Sequence, residues 1–540
     1  MKYKFFKTFF LIATIASMLS CSKKIDEAYQ NPNADVKVPV ETLLAPIVAS
    51  MVGNTAYHGP ANDMRFIGRY IQNWQMSTSG DVYDQMGYTA ASDNAASTWR
   101  THYYDLGQNL MNMIKWAEEE KKWDYVGVGQ AIFAWSWLTM SDYYGEIILK
   151  EAFNTSQLTF KYDTEPEVYD YVRQLCFKAL DNLNKTGDGV SSANLAKGDQ
   201  YLYNGDVNKW KKFVNGILAR SYNHLSNKTS YKPDSVIYYA NLSILTNDDN
   251  ASLKYIATGS NRSANYNGPF SNNGIGSFRQ SEYSVKLMTG ANSAFPGVQD
   301  PRRWYMLKPN PNGTLIGVQP NKGVTAITNV NDRPNNFYGS TNTTTAAPAG
   351  GLDTGCTYIF KNYAESPILT ASEVKFMIAE AALRKGDPAL AASAYKDGIR
   401  LNFDMLSSKY SDGIPSAKLI TTATRDAYIA NPVVVPAQLT LSHIMLQKYI
   451  SLWGHGILET WVDMRRYHYN VDKDPVTGTP VYADFTIPTG SNLYVDNGGL
   501  PVYRVRPRYN SEYVWNMAEL IRIGADKANY HTKEGWFSQK

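Results

Sequence analysis

Glu459 and Asp463, four residues apart in WGHGILETWVDMRR, are the carboxylates of this chain best spaced for acid–base work. At i and i+4 they share one face of a helix, and two carboxyls about 5–10 Å apart are what glycoside hydrolysis uses. The same spacing equally suits a structural role, in which Arg465, Arg466 or a neighbouring helix end takes up the charge, and that role is expected. The seven histidines, at positions 58, 102, 224, 443, 455, 468 and 531, stand singly. His455 reads as a packed or capping residue rather than a ligand. No H-E-x-x-H, G-x-S-x-G or Walker pattern occurs, and GVGQ and GIGS lack the context of a phosphate loop. The chain reads as non-catalytic, with no metal or cofactor.

The third chemistry-bearing feature is Cys21. Lys2, Lys4 and Lys7 lead into an apolar stretch from about Phe5 to Leu19, the layout of a secretory signal. The run falls short of the about 20 apolar residues that a membrane span needs. Met18-Leu19-Ser20-Cys21 is similar to a bacterial lipoprotein box, although the usual leucine three residues before the cysteine is here Met18. Residues 1–20 are thus expected to be a signal peptide and Cys21 the lipidated N-terminus. Residues 21–40, polar and rich in Asn and Pro, form a flexible tether, and 41–540 one domain. Lys23 and Lys24 directly follow the cysteine, ahead of Asp26 and Glu27, which leaves open whether the anchor faces outward or into the periplasm. Of the other cysteines, Cys176 lies in the amphipathic stretch YDYVRQLCFKALDNL and is expected as a buried thiol; Cys356 is distant, and no spacing suggests zinc.

These residues need elements to hold them, and helices dominate. In residues 94–123, Leu106, Leu110, Met113, Ile114 and Ala117 recur on one face. Ile132, Trp135, Leu138 and Thr139 repeat the pattern, as do Trp210, Phe213, Ile217 and Leu218. Thr164 and Pro166 mark a helix start. In ASEVKFMIAEAALRKGDPALAASAYKDGIRLNF, two helices joined by RKGDP, with Ala379, Ala391 and Tyr395, resemble a tetratricopeptide hairpin. Met445, Tyr449, Leu452 and Trp453 share a later face. Between about 250 and 370 the pattern gives way to long Gly/Asn/Pro/Ser/Thr-rich loops, of a length often functional. The formal charge of +4 is small for 540 residues and interspersed, so no nucleic-acid stripe is present. The fold expected is mainly α: a tetratricopeptide-like helical scaffold whose loop excursions form a ligand face.

Taken in order, several segments resemble the SusD/RagB family of nutrient-binding outer-membrane lipoproteins, in its SusD-like branch. They are the signal, the NPNA tether, SDYYGEIILKEAF, YNGDVNKWKKFVNGILAR, ASEVKFMIAEAALRKGD, QKYISLWGHGILETWVDMRR and LPVYRVRPRYNSEYVWN. The likeness spans the mature chain and rests on joint order rather than any single motif. It implies a non-catalytic binder that caps a SusC-like TonB-dependent barrel as a hinged lid and hands over its cargo. That cargo is most often an oligosaccharide and in some members a peptide.

For an oligosaccharide, the C–H face of a pyranose lies on an aromatic ring while polar groups at the rim reach its hydroxyls. The loops offer Asn73, Trp74 and Tyr83 in one tract, Asn265, Tyr266, Phe270 and Arg279 in a second, and Phe337 and Tyr338 in a third. On this reading Trp74→Ala weakens sugar binding and leaves the melting temperature nearly unchanged. Two alternatives stay open at this point: an anchored helical glycan-degrading enzyme, and a purely structural lipoprotein.

Overall fold

The structure, a computed structural model, describes residues 37–53, 59–80, 82–87, 92–257, 263–340, 346–487 and 493–540. Cys21, the signal and most of the tether lie outside them. Chain contacts divide the molecule into Met1–Pro39 and Val40–Lys540. In the second unit the helices that matter here are α1 (Glu41–Ser50), α2 (Pro60–Tyr70), α3 (Gly107–Glu119), α4 (Trp123–Tyr144), α5 (Glu165–Leu183), α6 (Val207–Asn223), α7 (Pro233–Asn241), α8 (Ala371–Lys385), α9 (Pro388–Lys409), α10 (Leu441–Leu452) and α11 (Ile457–Arg466). The helical scaffold expected from the sequence is present.

Local signals set these boundaries. Glu167 reaches back to Thr164, accepting from its N–H at 2.9 Å and its hydroxyl at 2.7 Å, so the start of α5 is capped. Asp206 caps α6 by accepting from Asn208 and Lys209. In RKGDP, Gly386 ends α8 at φ +86°, Asp387 accepts from the Leu390 N–H at 3.0 Å and Pro388 opens α9. A left-handed glycine after one helix and a proline at the first position of the next make a tight hairpin.

Packing follows the chain. α3 lies on α4, α4 on α5, α5 on α6, α6 on α7, α7 on α8, and α8 on both α9 and α10. The α4 helix is covered from several sides, so almost every side chain from Asp124 to Tyr144 is buried rather than one face alone. Trp210, Phe213, Ile217, Leu218, Ala379, Ala391 and Tyr395 are all inside, as expected. Cys176 and Cys356 are buried free thiols.

The loop-rich stretch is more ordered than its composition suggests. Strands β1 (Trp74–Met76), β2 (Ala251–Leu253), β3 (Phe278–Gln280) and β4 (Ser366–Leu369) form two antiparallel pairs, β1 with β3 and β2 with β4. The asparagines serve the backbone: Asn265 donates to Ala364 O at 3.0 Å and Asn362 to Gly351 O at 2.8 Å. Buried irregular chain needs such partners, because helix and sheet ladders do not supply them.

Candidate functional site

The structure turns the nine expected ligand residues inward. Trp74 is 1 % exposed, and Asn73, Tyr83, Asn265, Tyr266, Arg279, Phe337 and Tyr338 are buried with it; Phe270 is half-buried. Each has an internal task. Asn73 Oδ1 accepts from the Gly454 N–H at 2.9 Å. Tyr83 stacks on Tyr70 at 5.6 Å. Arg279 donates to the carbonyls of Pro334, Gly276 and Phe278 at 2.9–3.1 Å, and burial pushes its pKa down to about 10. Phe337 joins Trp74, Phe360 and Trp453 in one ring cluster, while Tyr338 is fully enclosed. The Phe270 ring lies against Gly351, and its N–H donates to Asn362. Expected at the surface as ligand platforms, these residues instead tie the loops to the scaffold in this structure. A ring flanked by asparagines reads the same in sequence whether it faces water or a core.

One of them borders open space. Tyr266 lies at the wall of a pocket of about 280 Å³, shared with Tyr201, Lys254, Tyr255, Ser271 and Asn273. The backbone after β2 brings Lys254 and Tyr255 there, and the end of α1 closes one side. Gly53 is required in that wall, since a Cβ would stand 2.8 Å from the Tyr266 ring. Tyr266 donates to Asn62 Oδ1 at 3.0 Å and Tyr255 to Ser366 Oγ at 2.9 Å, which fixes both rings. Rings with a hydroxyl at the edge, one exposed lysine and an amide make a surface suited to an uncharged polar ligand. Sequence reasoning missed Tyr201, Lys254 and Tyr255, because their approach depends on the β2–β4 pairing.

Glu459 and Asp463 have the structural role. Both are buried and face Lys448, whose Nζ lies 3.2 Å from Glu459 and 2.8 Å from Asp463. Arg466 pairs with Asp463 at 2.5 Å, whereas Arg465 donates to the carbonyls of Asp142 and Tyr503 instead. His224 stands between Asp142, at 3.3 Å, and Glu459, at 3.1 Å. A cavity of about 80 Å³ reaches His224, Arg220 and Glu459 beside Trp135 and Trp461, and every one of these charges has a protein partner. His455, half-buried, packs between Phe360 and Tyr410, and the desolvation of its ring pushes its pKa down to about 4. Among the described residues no group of His, Cys, Asp and Glu could hold a metal.

The His224 arrangement has a pH signature. Burial alone would push the imidazole down, but the carboxylates of Glu459 and Asp142 outweigh it and hold the pKa up at about 9. A group raised above its unfolded value of about 6.5 stabilises fully below that value, and the benefit is lost as pH rises through about 9. Urea midpoints are therefore expected to fall between pH 6.5 and 9.5. His468, between Asp472 and Glu534, is also held at about 9, so His224→Gln should flatten only part of the slope. An unchanged slope would remove His224 from the account.

The fold and these surfaces define a class: a helical scaffold with a buried ionic centre, enclosed loops and ligand-sized openings. The family described as starch-binding associating with outer membrane, SusD-like, matches residues 32–482. The chain belongs to that SusD-like family. Among solved structures, a SusD/RagB family protein from Bacteroides thetaiotaomicron superposes with a TM-score of 0.67 at 20 % identity, covering 93 % of this chain and 99 % of that one. A chitin-binding protein gives a TM-score of 0.68 at 20 % identity, with 93 % and 100 % covered. A chitin-binding SusD homologue from Flavobacterium johnsoniae gives 0.62 at 17 %, with 92 % and 98 % covered. Among curated proteins none matches. Among the described residues no helix is long and apolar enough to cross a membrane.

Proposed function

We propose that this protein is a lipid-anchored, surface-exposed outer-membrane binder of oligosaccharide nutrient. It delivers that cargo to a SusC-like TonB-dependent transporter on which it acts as a lid, and it does not cleave what it binds. The observation that carries the reading is the family match over residues 32–482, on a scaffold whose best-spaced carboxylates are locked in ion pairs. Acylation of Cys21 would supply the anchor, each buried methylene contributing about 0.8 kcal/mol. The test is calorimetry of the purified protein against starch- and chitin-derived oligosaccharides, with product analysis of the same mixtures. Binding without new reducing ends is expected. Turnover, or no affinity for any glycan, would overturn the reading. Palmitate labelling abolished by Cys21→Ser, and co-purification with a barrel from native membranes, check the anchor and the partner.

A further inference from the structure

A cleft of about 750 Å³ shares no residue with the pocket at Tyr266. It lies where the approach to α3, the loop after α4 and the segment near Tyr513 meet. We propose that this cleft is a further oligosaccharide subsite, an inference that rests on the glycan-binding reading above.

Its volume falls within the roughly 300–1,000 Å³ of small-molecule sites. Its walls are aromatic and firmly set. Tyr103 donates to Ile148 O at 2.7 Å and packs on Trp99 at 5.0 Å, and Phe153 lies 6.2 Å from Tyr103. Tyr104 stands beside them with 71 % of its surface exposed. A large ring left in water next to fixed rings is a ready platform for the C–H face of a sugar.

Backbone irregularity converges here too. The two π-helical turns found among the described residues, Thr101–Leu106 and Tyr509–Tyr513, both border the cleft. A π-turn accommodates an extra residue in a helix and re-aims its side chains, and such turns gather at functional sites. Phe153 adds a left-handed backbone, φ +63°, unusual for a bulky residue. Gly107 makes room for that ring, since a Cβ would stand 2.5 Å from it. The Ser511 hydroxyl oxygen is buried along the cleft without a hydrogen-bond partner.

The rim favours neutral hydroxyls over a charged chain. Arg508 is matched by Asp93 at 2.6 Å, and Glu512 accepts from Tyr162 at 2.8 Å and Asn516 at 3.1 Å. What remains at the edge are the amides of Gln108, Asn154 and Gln157, together with Arg100, whose guanidinium lies 5.9 Å from the Tyr104 ring and leaves the other face of that ring to a ligand. An amide donates and accepts, as a sugar hydroxyl does. Asn154 and Gln157 are linked at 3.3 Å and steadied by Glu151, which accepts from Gln157 at 2.9 Å.

The test compares native protein, Tyr104→Ala and Gln157→Ala by calorimetry against chito- and malto-oligosaccharides and a short-peptide panel. Both residues lie at the rim, so their melting temperatures should match the native one. Each substitution is expected to weaken sugar binding at least tenfold or to remove one binding event. Native sugar affinity in both variants would overturn the subsite and leave the glycan reading standing. Absence of any sugar binding by the native protein would overturn that reading itself. Peptide binding lost on Tyr104→Ala, with sugar binding intact, would reassign the cleft.

Discussion

Arg466→Met should lower the stability of this protein by about 3–5 kcal/mol, the loss seen when one partner of a buried ion pair is removed. Arg466 is fully enclosed and holds Glu380 through both guanidinium nitrogens, at 2.6 and 3.0 Å, and Asp463 at 2.5 Å. Burial would push the Glu380 carboxyl up, but Arg466 outweighs it and holds the group well below the usual carboxylate range. With the guanidinium gone, Glu380 retains Asn223 at 3.0 Å, Tyr467 at 2.5 Å and Arg384 at 3.6 Å, while Asp463 relies on Lys448. The remaining cations do not restore the two-pronged contact that Arg466 makes with Glu380. The measurement is the guanidinium midpoint at constant m-value. Glu380→Leu combined with Arg466→Met should recover part of the loss, because no carboxylate is then stranded at that position. A single-mutant loss under about 1 kcal/mol would mean that the ionic centre does not support the fold.

That centre shows where sequence legibility ends. Helix faces, the cap at Thr164 and the RKGDP hairpin follow from neighbours within a few residues, and the structure keeps them. Glu380 and Arg466, 86 residues apart, meet only because α8 and the end of α11 pack through α10. Nothing local pairs them. Likewise the expected partners of Glu459 and Asp463 included the adjacent arginines, yet Lys448 and His224 from other helices take most of that role. The site was harder still. In a helix, periodicity separates an inner from an outer face, but an irregular loop has no period, so nothing marked Tyr266 and Phe337 as enclosed. The cleft residues did leave a trace in WRTHYYDL, where Trp99, Tyr103 and Tyr104 widen the apolar stripe beyond one helical face. Of these, Trp99 is buried, Tyr103 is half-buried and Tyr104, within the π-turn, faces outward.

The division of labour among rings has a functional consequence. The loops carry little regular structure, so enclosed rings and amides give them rigidity, and a rigid wall loses less entropy when it closes on a ligand. Rings at openings, such as Tyr104 and Tyr255, stand apart from that internal framework.

Trp74→Ala separates these two kinds of ring most sharply. The sequence suggested a sugar platform; the structure makes Trp74 the centre of a cluster with Phe278 at 5.9 Å, Phe337 at 6.2 Å, Trp453 at 6.3 Å and Phe360 at 6.5 Å. Its indole N–H donates to Arg65 O at 3.2 Å, and its backbone belongs to β1, opposite Gln280 of β3. Removing such a ring leaves a cavity that close neighbours only partly fill, and costs about 3–5 kcal/mol. The expected result is a clear fall in melting temperature with sugar affinity retained at temperatures where the variant stays folded. Gly68→Ala provides an independent check, because the added methyl would stand 2.5 Å from the same indole and should cost about 1–3 kcal/mol by overpacking. If Trp74→Ala instead melts like the native protein and no longer binds sugar, the ring reaches ligand after all, and the loops must open to admit it.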